Sequence, residues 1–562
     1  MSILEDLIRK YALKNAFDYG KANPGSVVGK IVTEYPDAKK DMKRTIQLVN
    51  DIVLQVNKMS KDEIEREIAN YQYAQREEKE KELEVENAEE GKVITRYPPE
   101  PNGWPHIGHA KAFCLSWTIA RKYKGKVILR WDDTNPEAEK AEYVEAIRNG
   151  IKWLGLDWDK EVYCSDYIQM MYSLCEQLIR QDDAYFCICT QEKISEGRQN
   201  GKRCECGRQS VEKNLDSWQR MLKGEIGEGE GVIRLKGDMA SLNTVMRDPT
   251  LFRVITAPHF RQGKKYRVWP TYDFQGPVMD SLLKITHPIR SKEYELRDEL
   301  YYYLLGKLRL YTPKIISIAR LSIKNAPVSK RLLRPLVESG KLWGWDDPRL
   351  PTLAGLRRRG ILPEAIKRYV LRGGLTKSES EGDWEILLAE NRKLLDPIAK
   401  HYFFVADPAK IKVHGLPPIV QLRYHPKEEL GFREIPVSEE IYLSREDVTN
   451  LKKGERIRLK DLANIEITSL NPLEAKVVGG ELPQKKIQWV SNIAKTRCTV
   501  AVISDLLNEN GEFNDKSMVL RDGYCENNCT SIREGETIQF ERVGFCRLDK
   551  KEEDRLFFIL TC

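Results

Sequence analysis

Apolar positions change their period along this chain. In the N-terminal stretch they recur at helical spacing, in Ile3-Leu4-Leu7-Ile8-Leu13 and again in Ile46-Leu48-Val49-Ile52-Val53-Val56. Lys61 to Glu90 reads as a charge-rich helix closed by Gly91. Residues 1–91 are therefore expected to form a helical appendage that packs on the body or docks a protein partner. Residues 92–183 alternate instead. A strand, Lys92-Val93-Ile94-Thr95-Arg96-Tyr97, leads to a helix from Ile107 to Lys122, and a buried strand, Val127–Trp131, leads to a helix from Glu137 to about Leu154. That rhythm predicts a doubly wound, Rossmann-like parallel sheet, with ligands beyond the carboxyl ends of its strands.

Over residues 184–266 the rhythm breaks into cysteines, charges and glycine-rich turns, the mark of an insertion. It resumes over 267–322, through Val268–Phe274, Ile285–Arg290 and a strand at Ile315–Ile318. Residues 323–400 open with a cation-rich loop, Asn325–Arg331, and continue as a helical connector carrying Arg357-Arg358-Arg359. Residues 401–562 read as β: alternating runs such as Ile419–Tyr424, Arg456–Leu459, Lys486–Val490, Cys498–Ile503 and Thr537–Phe540 are separated by Gly, Asn, Pro and Asp turns. They predict one or two barrels. The expected architecture is multidomain: an interrupted α/β core, a helical appendage, a helical connector and a β-barrel tail.

Composition narrows the class. With 562 residues, 41% hydrophobic and 31% charged, the chain has material for several cores. No apolar run approaches membrane-spanning length, and the start MSILEDLIRKYALKNA carries acids among its apolar residues. It reads as an amphipathic helix rather than a signal peptide, so a cytoplasmic protein with no membrane partner is expected. The net charge of +7 is too modest to indicate nucleic acid by itself. Twelve cysteines are too dilute for a disulfide scaffold.

The candidate chemistry starts at His106 and His109. They follow a stiff loop, Pro98–Gly103, and open a helix, where backbone N–H groups and the positive dipole end suit phosphate. Three residues apart, they share one face of the first turn and can reach one polyphosphate; capping or core histidines are the plain alternative. Asp132 ends a strand and faces the same crevice, although aspartates there also serve turns and caps. Cys187, Cys189, Cys204 and Cys206 supply four thiols in two close pairs, either a closed tetrahedral Zn2+ site or a cluster of free thiols. Cys525, Cys529 and Cys546 lack a clear fourth partner.

Arg96–Gly103, His106-Ile107-Gly108-His109, Arg130–Pro136, Pro270–Phe274, Ile285-Thr286-His287, Val328-Ser329-Lys330-Arg331 and Gly344–Arg349 occur in that order. Together they resemble the glutamyl/glutaminyl branch of class I aminoacyl-tRNA synthetases, over nearly everything from Val93 onward. The resemblance implies that L-glutamate and ATP, with Mg2+, form glutamyl-adenylate, whose acyl group then moves to the 3′-terminal adenosine of tRNA(Glu). It implies catalytic roles for His106, His109 and Lys330. ATP would be lined by these three with Glu100, Pro101, Asn102, Gly108, Arg320, Leu321 and Ser329. Pro327 and Arg331 depart from the general Lys-Met-Ser-Lys-Ser form of the signature loop, so only Lys330 retains its lysine role.

Arg96, Asp132, Tyr272 and Arg290 match positions that contact the amino acid. Arginine at 290 marks glutamate enzymes, where glutamine enzymes carry a neutral residue; a salt bridge to Glu293 or Glu295 is the structural alternative. The resemblance also implies that the insertion grips the acceptor end, the arginine-rich connector lies along phosphate backbone, and the β tail reads the anticodon. A β-rich tail with a compact N-terminal appendage is similar to the archaeal type. Relatives of that type commonly charge both tRNA(Glu) and tRNA(Gln) with glutamate. The rivals are a glutaminyl synthetase, a non-acylating RNA-binding protein built on a decayed synthetase, and a small-molecule nucleotidylyltransferase.

Overall fold

A computed structural model describes residues 3–68, 70–71, 83–378 and 380–562, which fall into two compact units. The first comprises the helices Ile3–Tyr19, Pro24–Glu34, Met42–Val56 and Lys61–Ile68, joined by Trp384–Leu395 from far along the chain. Their apolar faces close over Ile8, Leu13, Val27, Ile31, Val49, Val53 and Val56. Asn23 and Asp41 cap the second and third helices through their side chains.

The helix expected from Lys61 to Glu90 is shorter than its charge pattern suggests. It closes at Ile68, residues 83–93 are turns and irregular chain, and residues 69 and 72–82 lie outside the described residues. Tertiary contacts account for the change. Leu83 and Val85 pack against Val93, Leu115 and Ile119, and the carbonyl of Glu86 lies 3.1 Å from Nε2 of His287.

In the second unit, strands Ile94–Tyr97, Lys126–Trp131 and Lys160–Tyr163 form a parallel sheet with the middle one central. Lys126–Trp131 is buried from Val127 onward, which is why it reads as a continuous apolar run. The chain enters that strand through Gly125, where a Cβ would lie 2.0 Å from the Val93 carbonyl oxygen. A second parallel pair, Ile289–Ser291 with Ile316–Ile318, joins the sheet at Ile94, whose N–H and carbonyl both bond Thr286. Helices Ile107–Lys122 and Ala141–Trp153 supply the crossovers.

The insertion is a four-stranded antiparallel sheet, Ala184–Cys187, Val232–Leu235, Thr250–Val254 and Val268–Pro270. Val268–Pro270 thus pairs within the insertion, and the parallel rhythm resumes only after the helix Tyr272–Leu282. A three-residue apolar run does not reveal which neighbour it will pair with. Trp218, Phe252 and Trp269 of the insertion share one core with Ile128, Val162 and Met171 of the parallel half. A shared apolar core of this kind fixes the insertion against the sheet rather than leaving it on a flexible tether.

The connector helices Leu353–Arg359 and Pro363–Leu371 lead to two seven-stranded, barrel-like sheets. One builds its core on Ile411, Ile441, Ile457, Ile465 and Trp489, the other on Phe404, Val500, Ile538, Phe540 and Phe558. A buried ion pair, Arg433 Nε to Glu526 Oε2 at 2.6 Å, ties the hairpin Ile419–Pro436 to the second. Of the three consecutive arginines, only Arg357 faces solvent: Arg358 grips Asp549 at 2.8 Å and Arg359 is buried on the Thr561 carbonyl. The basic run thus serves mainly to join connector and tail, a role its composition did not reveal. Among the described residues no helix is long and apolar enough to cross a membrane.

Candidate active site

The helix Ile107–Lys122 starts on a reciprocal cap. His106 accepts the Gly108 N–H at Nδ1 (3.1 Å), and His109 accepts the His106 N–H at its own Nδ1 (3.2 Å). Each Nδ1 is therefore an acceptor, and each neutral ring carries its proton on Nε2. The rings stand 4.0 Å apart, centroid to centroid. Burial, then the neighbouring cation Arg320, holds His109 down to about 4; burial, His109 and Arg320 hold His106 well below its ordinary value. At neutral pH the turn thus presents two uncharged N–H donors rather than two cations.

Gly108 has to be glycine for a packing reason. A Cβ there would meet the His106 ring at 2.9 Å and the Leu321 carbonyl oxygen at 3.3 Å. That close approach brings the strand Leu321–Ile323 against the histidine turn. Lys111, unremarked in the sequence, anchors the same junction: its buried Nζ donates to the Ala319 carbonyl at 2.7 Å. Arg320 itself is half-exposed and pairs with Glu293 at 3.0 Å.

Other segments brace the turn from below. Ile107 N–H donates to the Pro351 carbonyl at 3.0 Å, and Leu353 N–H to the Pro105 carbonyl at 2.8 Å. The preceding motif residues explain that brace: Asp347 accepts bonds from the N–H groups of Trp343 and Arg349 and from the Arg349 guanidinium. Gly344–Arg349 is therefore a structural knot behind the site. Lys330, first residue of the helix Lys330–Glu338, lies over the Tyr143 ring at 4.7 Å and donates to the Asn102 carbonyl at 3.0 Å. The signature loop and the Pro98–Gly103 loop thus meet, with Pro101 held by Lys140 N–H at 3.0 Å. Glu100 and Ser329 stand exposed, and Ser329 makes no side-chain cap.

Around Asp280 the structure builds a buried charge chain. Arg96, 2% exposed, bonds Asp280 (2.9 Å) and the Ile289 carbonyl (2.7 Å). Arg130 bonds Asp280 at 2.6 Å and holds Asp132 through Nε (2.6 Å) and Nη2 (3.0 Å). Tyr301 donates to Asp280 at 3.0 Å. Asp280 is thus the hub of the chain, missed in the sequence; a lone acid in the apolar run Pro277–Leu283 was the signal that could have marked it. Arg290 follows Ile289 directly. It is 6% exposed, boxed by the rings of Tyr272, Tyr294 and Tyr301 at 5.2–5.7 Å, and paired with Asp298 at 2.7 Å. Its ion pair is thus with Asp298; Glu293 instead meets Arg320, and Glu295 meets Lys377.

The four cysteines of the insertion converge. Their sulfurs all lie within 4.8 Å of one another, with Cys187–Cys204 at 3.7 Å and Cys189–Cys206 at 3.9 Å. Sulfurs bound to Zn2+ at about 2.3 Å in a tetrahedron stand roughly 3.8 Å apart, so the donor set fits zinc. Arg234, buried, points Nη1 at Cys187 (3.9 Å) and Cys204 (3.7 Å), where it would offset the charge of metal-bound thiolates. Among the described residues this is the one cluster of three or more His, Cys, Asp or Glu donors close enough to share a metal ion.

Comparison with known proteins places most of the chain in one family. Residues 92–397 match the family model for tRNA synthetases class I (E and Q), catalytic domain. Residues 399–482 and 486–549 match two models of the anticodon-binding domain of the same class. The chain is 41% identical to a glutamate–tRNA ligase of Korarchaeum cryptofilum over 100% of both chains. It is 41% identical to one of Nitrosopumilus maritimus, covering 97% of this chain and 98% of that one. A glutamate–tRNA ligase of Pyrococcus abyssi is 39% identical over 99% of each.

Proposed function

The chain belongs to the class I tRNA synthetases for glutamate and glutamine, and from that membership we infer that it attaches L-glutamate to tRNA at the expense of ATP. The observation that carries the reading is the meeting of Lys330 with the Asn102 carbonyl beside the His106–His109 turn, two cation and N–H sources that the sequence separates widely. In the first step a glutamate carboxylate oxygen attacks the α-phosphorus and the bond to pyrophosphate breaks. The Nε2–H groups of His106 and His109 would donate to α-phosphate oxygens as charge shifts there, while Lys330 meets the departing pyrophosphate. Neutral donors suit this task, because they stabilise developing charge without tying down the ground state as tightly as cations do. In the second step a ribose hydroxyl of the terminal adenosine attacks the acyl carbon and AMP leaves.

Arg290, desolvated in its aromatic box, would pair the side-chain carboxylate of the substrate, with Tyr272 beside it, and Arg96 and Asp132 of the buried charge chain would contact the same amino acid. ATP enters with Mg2+ as part of the substrate. Acylation of purified tRNA(Glu) and tRNA(Gln) transcripts with labelled glutamate or glutamine tests the reading. Glutamate transfer is expected, on both tRNAs for a relaxed enzyme and on tRNA(Glu) alone for a discriminating one. Glutamine transfer would defeat the Arg290 assignment.

Cys187, Cys189, Cys204 and Cys206 would hold structural Zn2+; a four-thiolate site leaves no open position for chemistry. Elemental analysis of the purified protein should find about one zinc per chain, and C204S should release it and loosen the insertion to proteolysis. A metal-free protein with four freely titrating thiols would refute the site.

A further inference from the structure

A second buried cluster lies where the insertion returns to the sheet, and the charge chain above does not use it. Asp133, 0% exposed, accepts the N–H of Ser165 at 2.8 Å and its hydroxyl at 2.7 Å. Glu139, also buried, accepts the Asn135 N–H through Oε1 at 2.8 Å, which closes the loop Asp133–Glu139 on itself. Facing both carboxylates is His259, 2% exposed, its ring stacked on Trp269 at 5.1 Å. His259 Nε2 stands 3.6 Å from Asp133 Oδ2 and 3.5 Å from Glu139 Oε2.

The proton on His259 can be placed. Its Nδ1 accepts the N–H groups of Arg261 (3.1 Å) and Gln262 (3.0 Å), so a neutral ring carries its hydrogen on Nε2, aimed between the two carboxylates. Burial keeps the imidazole below its ordinary value, opposed by Asp133. Burial likewise pushes Asp133 up to about 7 and Glu139 up to about 8. The carboxyl pair therefore does not demand two cations near neutral pH, and one N–H donor suffices to bridge it. The same turn continues outward: Arg261 pairs with Asp166 and lies 3.6 Å over the Tyr163 ring, while Gln262 donates to Asp166 at 2.8 Å.

The loop matters because of what it carries. Asp132 precedes Asp133, and its N–H donates to the Pro99 carbonyl at 3.0 Å; Lys140 follows Glu139, and its N–H donates to Pro101 at 3.0 Å. The two carboxylates thus sit just inside both points where this loop touches the Pro98–Gly103 loop. We propose that His259 is a positioning residue for the reaction: its Nε2–H clasps Asp133 and Glu139 and so fixes the loop that presents Asp132 to the substrate amino acid. At 3.5 and 3.6 Å these are close charge contacts, and His259 Nε2 and Glu139 Oε2 are buried with no other hydrogen-bond partner among the described residues, so each is the group left to serve the other. The inference rests on the reading of Asp132 as a substrate contact.

The test is ATP–pyrophosphate exchange by full-length H259L, H259Q and D132N, with melting temperatures recorded in parallel. H259L is expected to raise the KM for glutamate about tenfold, with kcat and the KM for ATP nearly unchanged, since a displaced Asp132 loses binding common to the ground and transition states. H259Q places an N–H near the Nε2 position and should restore most of the affinity. Unaltered glutamate KM in H259L would overturn the proposal, as would parallel loss of every parameter together with the melting temperature. Should H259L fail to fold, E139Q replaces it: it keeps the Asn135 bond but sets an NH2 group against Nε2–H, and a wild-type KM there overturns the clasp equally. If D132N leaves the KM unchanged while H259L raises it, the Asp132 reading has failed and His259 acts on another part of the loop. A rise in D132N alone means that the loop holds without the clasp.

Discussion

Exchanging His109 for asparagine is expected to slow glutamyl-adenylate formation by about 10²- to 10³-fold, the loss typical of one pre-aimed donor at a site of developing charge. The choice of asparagine follows from the two nitrogens of the ring. Nδ1 accepts the His106 N–H at 3.2 Å and completes the helix cap, whereas Nε2–H is the donor left for chemistry. An asparagine oxygen can take over the cap but supplies no group at the Nε2 position. H109A would confound the two, because losing a cap alone costs about 1 kcal/mol. Pyrophosphate exchange is the measurement, and a rate within a few-fold of wild type in a folded H109N would remove His109 from the mechanism.

The same geometry sets a pH dependence. The folded-state value of His109, down to about 4, lies below that of an unfolded histidine, about 6.5. Its neutral form is thus the one favoured by folding. The stability it contributes is complete above about pH 6.5 and is withdrawn as pH falls toward 4, where the unfolded chain binds the extra proton first. H109N should flatten that part of the acid unfolding curve, as followed by denaturant titration at stepped pH.

Replacing Arg290 by glutamine is expected to lower kcat/KM for glutamate by about 10³-fold or more, since a buried carboxylate would then lack its counter-charge. Three tyrosine rings exclude water from the guanidinium, and Asp298 occupies only one of its edges. The Nε of Arg290 is buried without a hydrogen-bond partner among the described residues, so the cation is not saturated by the protein. R290K keeps the charge as a point without the planar fork and should fall between the two. R290Q also leaves Asp298 unpaired, which would lower stability by itself. The double variant R290Q/D298N separates the effects: it should regain the melting temperature without regaining glutamate activation. Normal glutamate kinetics in R290Q would return Arg290 to a structural role.

Local pattern was enough for elements whose neighbours are close in sequence. The strand Ile94–Tyr97, the helix Ile107–Lys122 and the buried strand at Val127–Trp131 all read directly, because apolar period and capping residues act over a single turn or pleat. Charge alone failed over residues 83–90 of the helix expected from Lys61 to Glu90, where the fate of Leu83 and Val85 was decided by apolar side chains from elsewhere. It failed again on Arg358 and Arg359, whose partners, Asp549 and the Thr561 carbonyl, come from the far end of the chain.

The sequence by itself determined the order of the signature motifs, the family they resemble, the two histidines at a helix start and the four thiols of the insertion, since each depends on residue types within short, ordered spacings. Tertiary structure alone decided the hub at Asp280, the partner of Arg290, the Lys330–Asn102 contact and the His259 clasp. Each joins groups from different parts of the chain inside a poorly solvated interior. There the burial of one charge is tolerated only where folding delivers its complement, and no local pattern records which distant residue that will be.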